Sequence, residues 1–295
     1  FIDFGMRNQV TIDQGSRPEK SRDNLIEVNI LDRSSDQEIA IVQRGVRNTA
    51  LIDVDDRSRF NRIDLVQGGV DNLFDMADDS DGVDDKSNRN EVSAVQGGRR
   101  NIATVELRDQ SRRNLVGISQ LSWDSELVIR VDESVRNTID VTQARGQSNN
   151  YAAVELFGSN ANTVAITQNG SDNRADLMLD PEARGIFGHR NKVSITQELD
   201  ANNVGLLIEG NGNRFTALQS ESDAIDVVLK GDRNRTSITQ ELGGNTVALT
   251  VEGSENWFTA SQGQASTIVA AQYGDANVMN LTQVGFNNAI YATQR

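Results

Sequence analysis

The sequence predicts an all-β protein: a two-sheet β-solenoid of about twelve strand-turn-strand repeats, stacking into a cross-β fibre. Three observations predict it. A short pattern, Asn-x-h-x-h-x-Gln with h apolar, returns along the chain. A second strand-like segment follows most copies at a nearly fixed distance. The hydrophobic fraction of 37% and aromatic fraction of 5% leave a thin, partly polar interior for 295 residues, as suits a protein that grows along one axis.

The first strand of each repeat carries the pattern. It joins Asn8 to Gln14, Asn61 to Gln67, Asn90 to Gln96, Asn114 to Gln120, Asn137 to Gln143 and Asn162 to Gln168. It continues with Asn191 and Gln197, Asn213 and Gln219, Asn234 and Gln240, Asn256 and Gln262, and Asn277 and Gln283. One further copy has Gln37 in the Asn place and closes at Gln43. Repeats therefore start near 8, 37, 61, 90, 114, 137, 162, 191, 213, 234, 256 and 277, and a single solenoid domain spans 1–295.

The second strand opens at Asn24, Asn48, Asn72, Asn101, Asn150, Asn173, Asn202, Asn245 and Asn288. The link into it is nearly constant. Gln43-Arg-Gly45-Val-Arg-Asn48, Gln96-Gly-Gly98-Arg-Arg-Asn101 and Gln283-Val-Gly285-Phe-Asn-Asn288 all place Asn five after Gln, with Gly45, Gly98 and Gly285 as turn residues. Near Ala224 and Thr267 two registers one residue apart fit equally. Return links vary in length, so insertions collect on one edge. Pro18 and Pro181, the two prolines, fall there, where a missing amide donor costs a ladder nothing. The acidic stretch 75–85 and the segment 180–190 read as loops on that edge.

Alternation turns Asn, the two apolar residues and Gln inward, and Arg, Asp, Thr, Ser and Lys outward. Coils stacked at ~4.8 Å pair every backbone group with the next coil, and identical inward amides can form ladders along the axis. One repeat buries too little apolar surface to stand alone, so neighbours are obligatory.

The Gln-x-Gly-x-x-Asn turns and the strand pairs they join resemble curlin repeats, the units of secreted bacterial curli fibres. The resemblance extends from Asn8 to Gln294 and is best in the last repeat, where the strand opened by Asn288 also closes in Gln294. Most second strands here end in an aliphatic residue instead, first strands open with Asn where curlins commonly have Ser, and the repeats are about twice as many. The resemblance implies an extracellular, curli-like amyloid fibre subunit of the biofilm matrix, secreted to the bacterial cell surface and active in adhesion. Its partners would be itself, as a homopolymer, with a nucleator subunit and a secretion channel as further partners. A monomeric surface adhesin and a β-helical polysaccharide enzyme are the alternatives.

Charge and residue inventory narrow the functions. With 43 acidic and 29 basic residues the net charge is -14, which disfavours nucleic acid and anionic membranes as partners. Absence of cysteine removes disulfides and thiolate metal sites. No apolar run reaches a membrane span, and the first residues lack a signal-peptide pattern, as in a mature or trimmed form. His189 is the one histidine, no catalytic or cofactor fingerprint occurs, and neither enzyme activity nor a cofactor is expected. Asp75, Asp78, Asp79, Asp81, Asp84 and Asp85 could offer oxygen ligands to Ca²⁺, but their spacing matches neither an EF-hand loop nor the glycine-rich Ca²⁺ repeat, and a solvated acidic loop is the expectation.

Arg99, Arg100, Arg112 and Arg113 are expected to pair with acids of adjacent coils, and Trp257 and Tyr291 to face outward. The last strand, with Asn288, Ile290, Ala292 and Gln294, is expected to be an uncapped edge that meets the first coil of another copy, at Asn8, Val10, Ile12 and Gln14.

Overall fold

The computed structural model describes residues 2–3, 6–14, 23–31, 35–55, 59–79, 90–108, 113–121, 123–132, 136–143, 149–158, 161–180, 190–198, 200–220, 222–241, 243–284 and 286–295. Pro18, Pro181, His189, Gly285, Arg112, Asp81, Asp84 and Asp85 lie outside them. Two compact units result, Phe1–Asn149 and Asn150–Arg295. Each is a parallel two-sheet β-solenoid without a helix among the described residues.

In the first unit one sheet holds β1 (Ile2–Asp3), β3 (Leu25–Leu31), β5 (Thr49–Asp55), β7 (Leu73–Asp79), β9 (Ile102–Leu107) and β11 (Glu126–Asp132), in that order. The other holds β2 (Met6–Gln14), β4 (Ser35–Gly45), β6 (Arg59–Gly69), β8 (Glu91–Gly98), β10 (Val116–Leu121) and β12 (Ile139–Gln143). Every strand therefore pairs with its counterpart one coil on. Equal positions stack: Gln43 pairs with Gln67, Gln67 with Gln96, Gln96 with Gln120 and Gln120 with Gln143. The same register sets Gln37 between Asn8 and Asn61, so Gln37 does occupy an Asn place.

In the second unit one sheet runs β13 (Tyr151–Phe157), β15 (Arg174–Asp180), β17 (Val204–Glu209), β18 (Ile225–Lys230), β19 (Val247–Glu252) and β20 (Ala271–Tyr273). The other begins with β14 (Val164–Gln168) and β16 (Val193–Ile195). Backbone bonds extend it in the same parallel sense, from Ile195 N to Thr216 O at 3.1 Å, Ala217 N to Ser237 O at 3.1 Å, Ile238 N to Thr259 O at 3.2 Å and Ala260 N to Asn280 O at 3.1 Å. Assigned first strands number eight among the described residues, six in the first unit and two in the second, where the backbone bonds just given carry the sheet further.

Alternation of apolar and polar residues explains the core. Ile39, Ile41, Ile63, Leu65, Val92, Ala94, Val116 and Ile118 are buried from one sheet, and Ala50, Ile52, Phe74, Met76, Ala103 and Val105 from the other. Phe74, Phe215 and Phe258 are among the largest fully buried side chains: Phe74 lies between Ala50 and Ala103 of the adjoining coils, and Phe215 and Phe258 are each followed two residues on by a buried alanine, Ala217 and Ala260.

One expectation is corrected. The stretch 75–79 is not loop but the second half of β7, paired Asp75 to Leu51 and Asp79 to Asp55. A pleated strand turns alternate residues outward, so Asp75 stays exposed while Met76 is buried, and acidity alone does not break the ladder.

Thr236 sits at an inward apolar position, 2% exposed, and its Oγ1 has no hydrogen-bond partner. Thr236→Val replaces a desolvated hydroxyl by a methyl of nearly equal volume and is expected to stabilise the chain by about 1 kcal/mol. The urea midpoint of the variant measures this; a lower midpoint contradicts it.

Candidate functional site

The polar ends of each first strand build two ladders through the interior. In the first unit Gln67 Nε2 donates to Gln96 Oε1 at 3.0 Å, Gln96 to Gln120 at 2.6 Å and Gln120 to Gln143 at 3.1 Å. In the second, Gln168 donates to Gln197 at 2.5 Å, Gln197 to Gln219 at 2.6 Å, Gln219 to Gln240 at 2.9 Å and Gln240 to Gln262 at 2.8 Å. Gln43 stands at the start of the first, its Nε2 on Thr49 O at 2.9 Å.

The Asn ladder runs with the opposite polarity. Asn114 Nδ2 donates to Asn90 Oδ1 at 3.3 Å and Asn137 to Asn114 at 2.9 Å. Asn191 donates to Asn162 at 3.4 Å, Asn213 to Asn191 at 3.3 Å, Asn234 to Asn213 at 3.0 Å and Asn256 to Asn234 at 2.7 Å. Gln donors thus point toward later coils and Asn donors toward earlier ones, so the two rows of side-chain dipoles oppose one another along the axis.

Each amide has a second N–H, and the fold uses it. The Gln residues also donate across the core to a second-strand carbonyl: Gln67 to Leu73 O at 3.0 Å, Gln96 to Ile102 O and Gln120 to Glu126 O at 3.1 Å, Gln197 to Asn203 O at 3.1 Å, and Gln283 to Ala289 O at 2.9 Å. One side chain therefore joins successive coils and also the two sheets. Asn213, Asn234 and Asn256 spend theirs on the carbonyl three residues back, at Gly210 (2.6 Å), Gly231 (2.5 Å) and Gly253 (2.7 Å), which closes the preceding turn.

Second-strand Asn residues act at the opposite corner. Asn24 donates to Arg44 O at 3.2 Å, Asn48 to Gly68 O at 3.1 Å and Asn150 to Gly170 O at 3.2 Å, while Asn202 donates to Asn173 Oδ1 at 3.0 Å. Asn72, Asn101 and Asn245 are buried at the same position. Three residues that the pattern did not single out share it: Ser125, Asp223 and Ser266, each at most 3% exposed. They stand one residue before Glu126, Ala224 and Thr267, and the register of Glu126 with Ile102 and of Ile225 with Val247 sets Ser125 level with Asn101 and Asp223 level with Asn245. The links ahead of Asp223 and Ser266 are one residue shorter, and Gln219 and Gln262 accordingly reach Ala224 O and Thr267 O five residues on. This resolves the two ambiguous registers.

Turn glycines bear on the same corners. Gly45 and Gly69 pair in register and have φ of 140° and 121°, and Gly98 continues the row. Corners in the second unit are tied by acids: the amides of Ser171, Asn211 and Ser254 donate to Asp200, Asp232 and Asp275 of the following coil.

Arg99, Arg100 and Arg113 form no ion pair among the described residues, contrary to expectation. Asp71, the acid level with Arg100, is held by Arg47 at 2.7 Å. Trp257 and Tyr291 do face outward, 49% and 64% exposed. Near the last coil, Ile290 bridges to Ile268 and Gln294 to Gln272, with Ile290 45% exposed and Ala292 exposed. In the first coil Val10, Ile12 and Gln14 are half-buried, and Asn8 is placed by its pairing with Gln37.

No described group of three or more acids or histidines could hold a metal ion. Although Asp75 faces outward, partial desolvation of its carboxyl, and next the charge of Glu106, raises it above its ordinary value. A raised acid costs folding free energy once ionised, so its penalty is present above the folded pKa and gone below the unfolded one. Asp75→Asn is expected to be more stable than the parent at pH 7 and equal to it near pH 3; equal midpoints at both pH values would contradict this. No family model, curated protein or solved structure matches the chain.

Proposed function

We propose that the chain is the structural, non-enzymatic subunit of an extracellular, curli-like amyloid fibre, a single solenoid of twelve curlin-like repeats that self-assembles head to tail. It would be secreted, build a biofilm matrix at the bacterial surface and serve adhesion. Its principal partner would be a second copy of itself, with a nucleator subunit and a secretion channel as further partners.

The opposed amide ladders support this reading most strongly. Because most coils repeat the same inward amides in the same register, one coil can template another, in the same chain or a different one. At the coil begun by Asn277, the Asn277 Oδ1 has no partner and its Nδ2 donates to Arg295 O at 2.5 Å rather than to Asn256, so the Asn277 oxygen is an acceptor that a further coil's Asn would use. Val284 and Phe286, which follow Gln283 in the same coil, are 73% and 70% exposed.

Incubating the purified chain and imaging it by negative-stain electron microscopy tests the proposal. Unbranched filaments whose sonicated fragments abolish the lag of fresh chain are the expected result. A chain that stays monomeric, with or without such fragments, overturns it.

A further inference from the structure

Outward side chains of successive coils stand in columns, one per ~4.8 Å of axis. In the second unit, the column after the inward Asn residues holds Lys192, Arg214, Arg235 and Trp257, all exposed. Their neighbours across the Asn row include Arg190 and Arg233. All six line one groove of about 760 Å³, in which Glu255 is the sole acid. Five cations thus meet one acid on a chain of net charge -14.

The five make no ion pair among the described residues. On the other sheet of the same unit the cations are neutralised, Arg174 by Asp176 at 2.8 Å and Lys230 by Glu209 at 2.7 Å. Like charges on adjacent strands repel, so the row costs the fold free energy unless an anion lies on it. The Trp257 ring is held in place, with the Arg235 guanidinium 5.7 Å from its centroid and Nε1 donating to Thr259 Oγ1 at 3.2 Å. Beside the cations the same coils present a column of hydroxyls, Ser194, Thr216, Ser237 and Thr259.

We propose that this face binds a linear acidic polysaccharide, a carboxylated glycan lying along the solenoid axis. The cations take its carboxylates, the hydroxyl column bonds its ring hydroxyls, and the exposed Trp257 face packs on a sugar ring. A nucleic acid fits less well: one indole is not the succession of rings on which bases stack. The inference is independent of polymerisation, since the groove lies within one unit.

Binding of freshly purified full-length chain to polygalacturonate, followed by fluorescence anisotropy at low salt, is the test. The parent chain is expected to bind, to weaken as salt rises, and to ignore the fully methyl-esterified polymer. The double variant Arg214→Ser, Arg235→Ser is expected to lose about tenfold in affinity, and Trp257→Ala about threefold, while Arg174→Ser on the other sheet binds as the parent does. Unchanged circular dichroism shows that the variants fold. Equal binding by the double variant, no binding by the parent, or tighter binding of single-stranded DNA of equal charge would each overturn the assignment.

Discussion

Gln120→Ala is expected to destabilise the first unit by about 4 kcal/mol. Gln120 accepts from Gln96 at 2.6 Å and donates both to Gln143 Oε1 and to Glu126 O at 3.1 Å. Its loss strands one N–H and two carbonyl oxygens in a site that is closed to solvent, Gln120 itself being 0% exposed. Each orphaned group costs about 1 to 3 kcal/mol, and partial collapse recovers some of it. Ser119→Ala, one residue away on the outward face, is expected to change stability by no more than about 0.5 kcal/mol. Hydrogen exchange read at β8, β10 and β12 should show faster opening in the first variant alone; equal protection in both variants would refute the ladder's role.

Gly69→Ala is expected to cost a similar amount, about 4 kcal/mol, for a steric reason. A Cβ there would lie 1.5 Å from Gly45 O and 2.6 Å from Gly45 C, at a φ of +121° that side chains avoid. Relief would require the corner to move, and that corner carries Val70 N on Gly45 O, Asp71 N on Val46 O and Asn48 Nδ2 on Gly68 O. At the adjacent Gly68 a Cβ meets nothing within 4 Å, so Gly68→Ala should change stability by less than about 0.5 kcal/mol. Similar thermal midpoints for the two variants would contradict the corner geometry.

The period, the two strands per coil and the inward set were legible because a repeating pattern is averaged over many copies. Gln37 could be placed among the Asn positions for that reason alone. What the pattern could not carry were substitutions that keep the position but change the residue: Ser125, Asp223 and Ser266 hold Asn places that only the pairing register reveals. The cross-sheet bond of Gln120 to Glu126 O was equally hidden, since it depends on how far apart the two sheets lie. Composition misled at 75–79, where acidity suggested a loop and the pleat turned Asp75 outward from a strand. The cation row formed by Lys192, Arg214 and Arg235 went unread because single coils show one charge each, and only stacking aligns them.

X-ray diffraction from aligned filaments of the purified chain tests the central claim, that coils stack through matched amide ladders into a fibre. The account predicts a meridional reflection at about 4.7 to 4.8 Å and an equatorial one near 10 Å from the paired sheets. It also predicts that both weaken in material made from Gln120→Ala. Filaments without the meridional spacing, or no filaments at all, would contradict it.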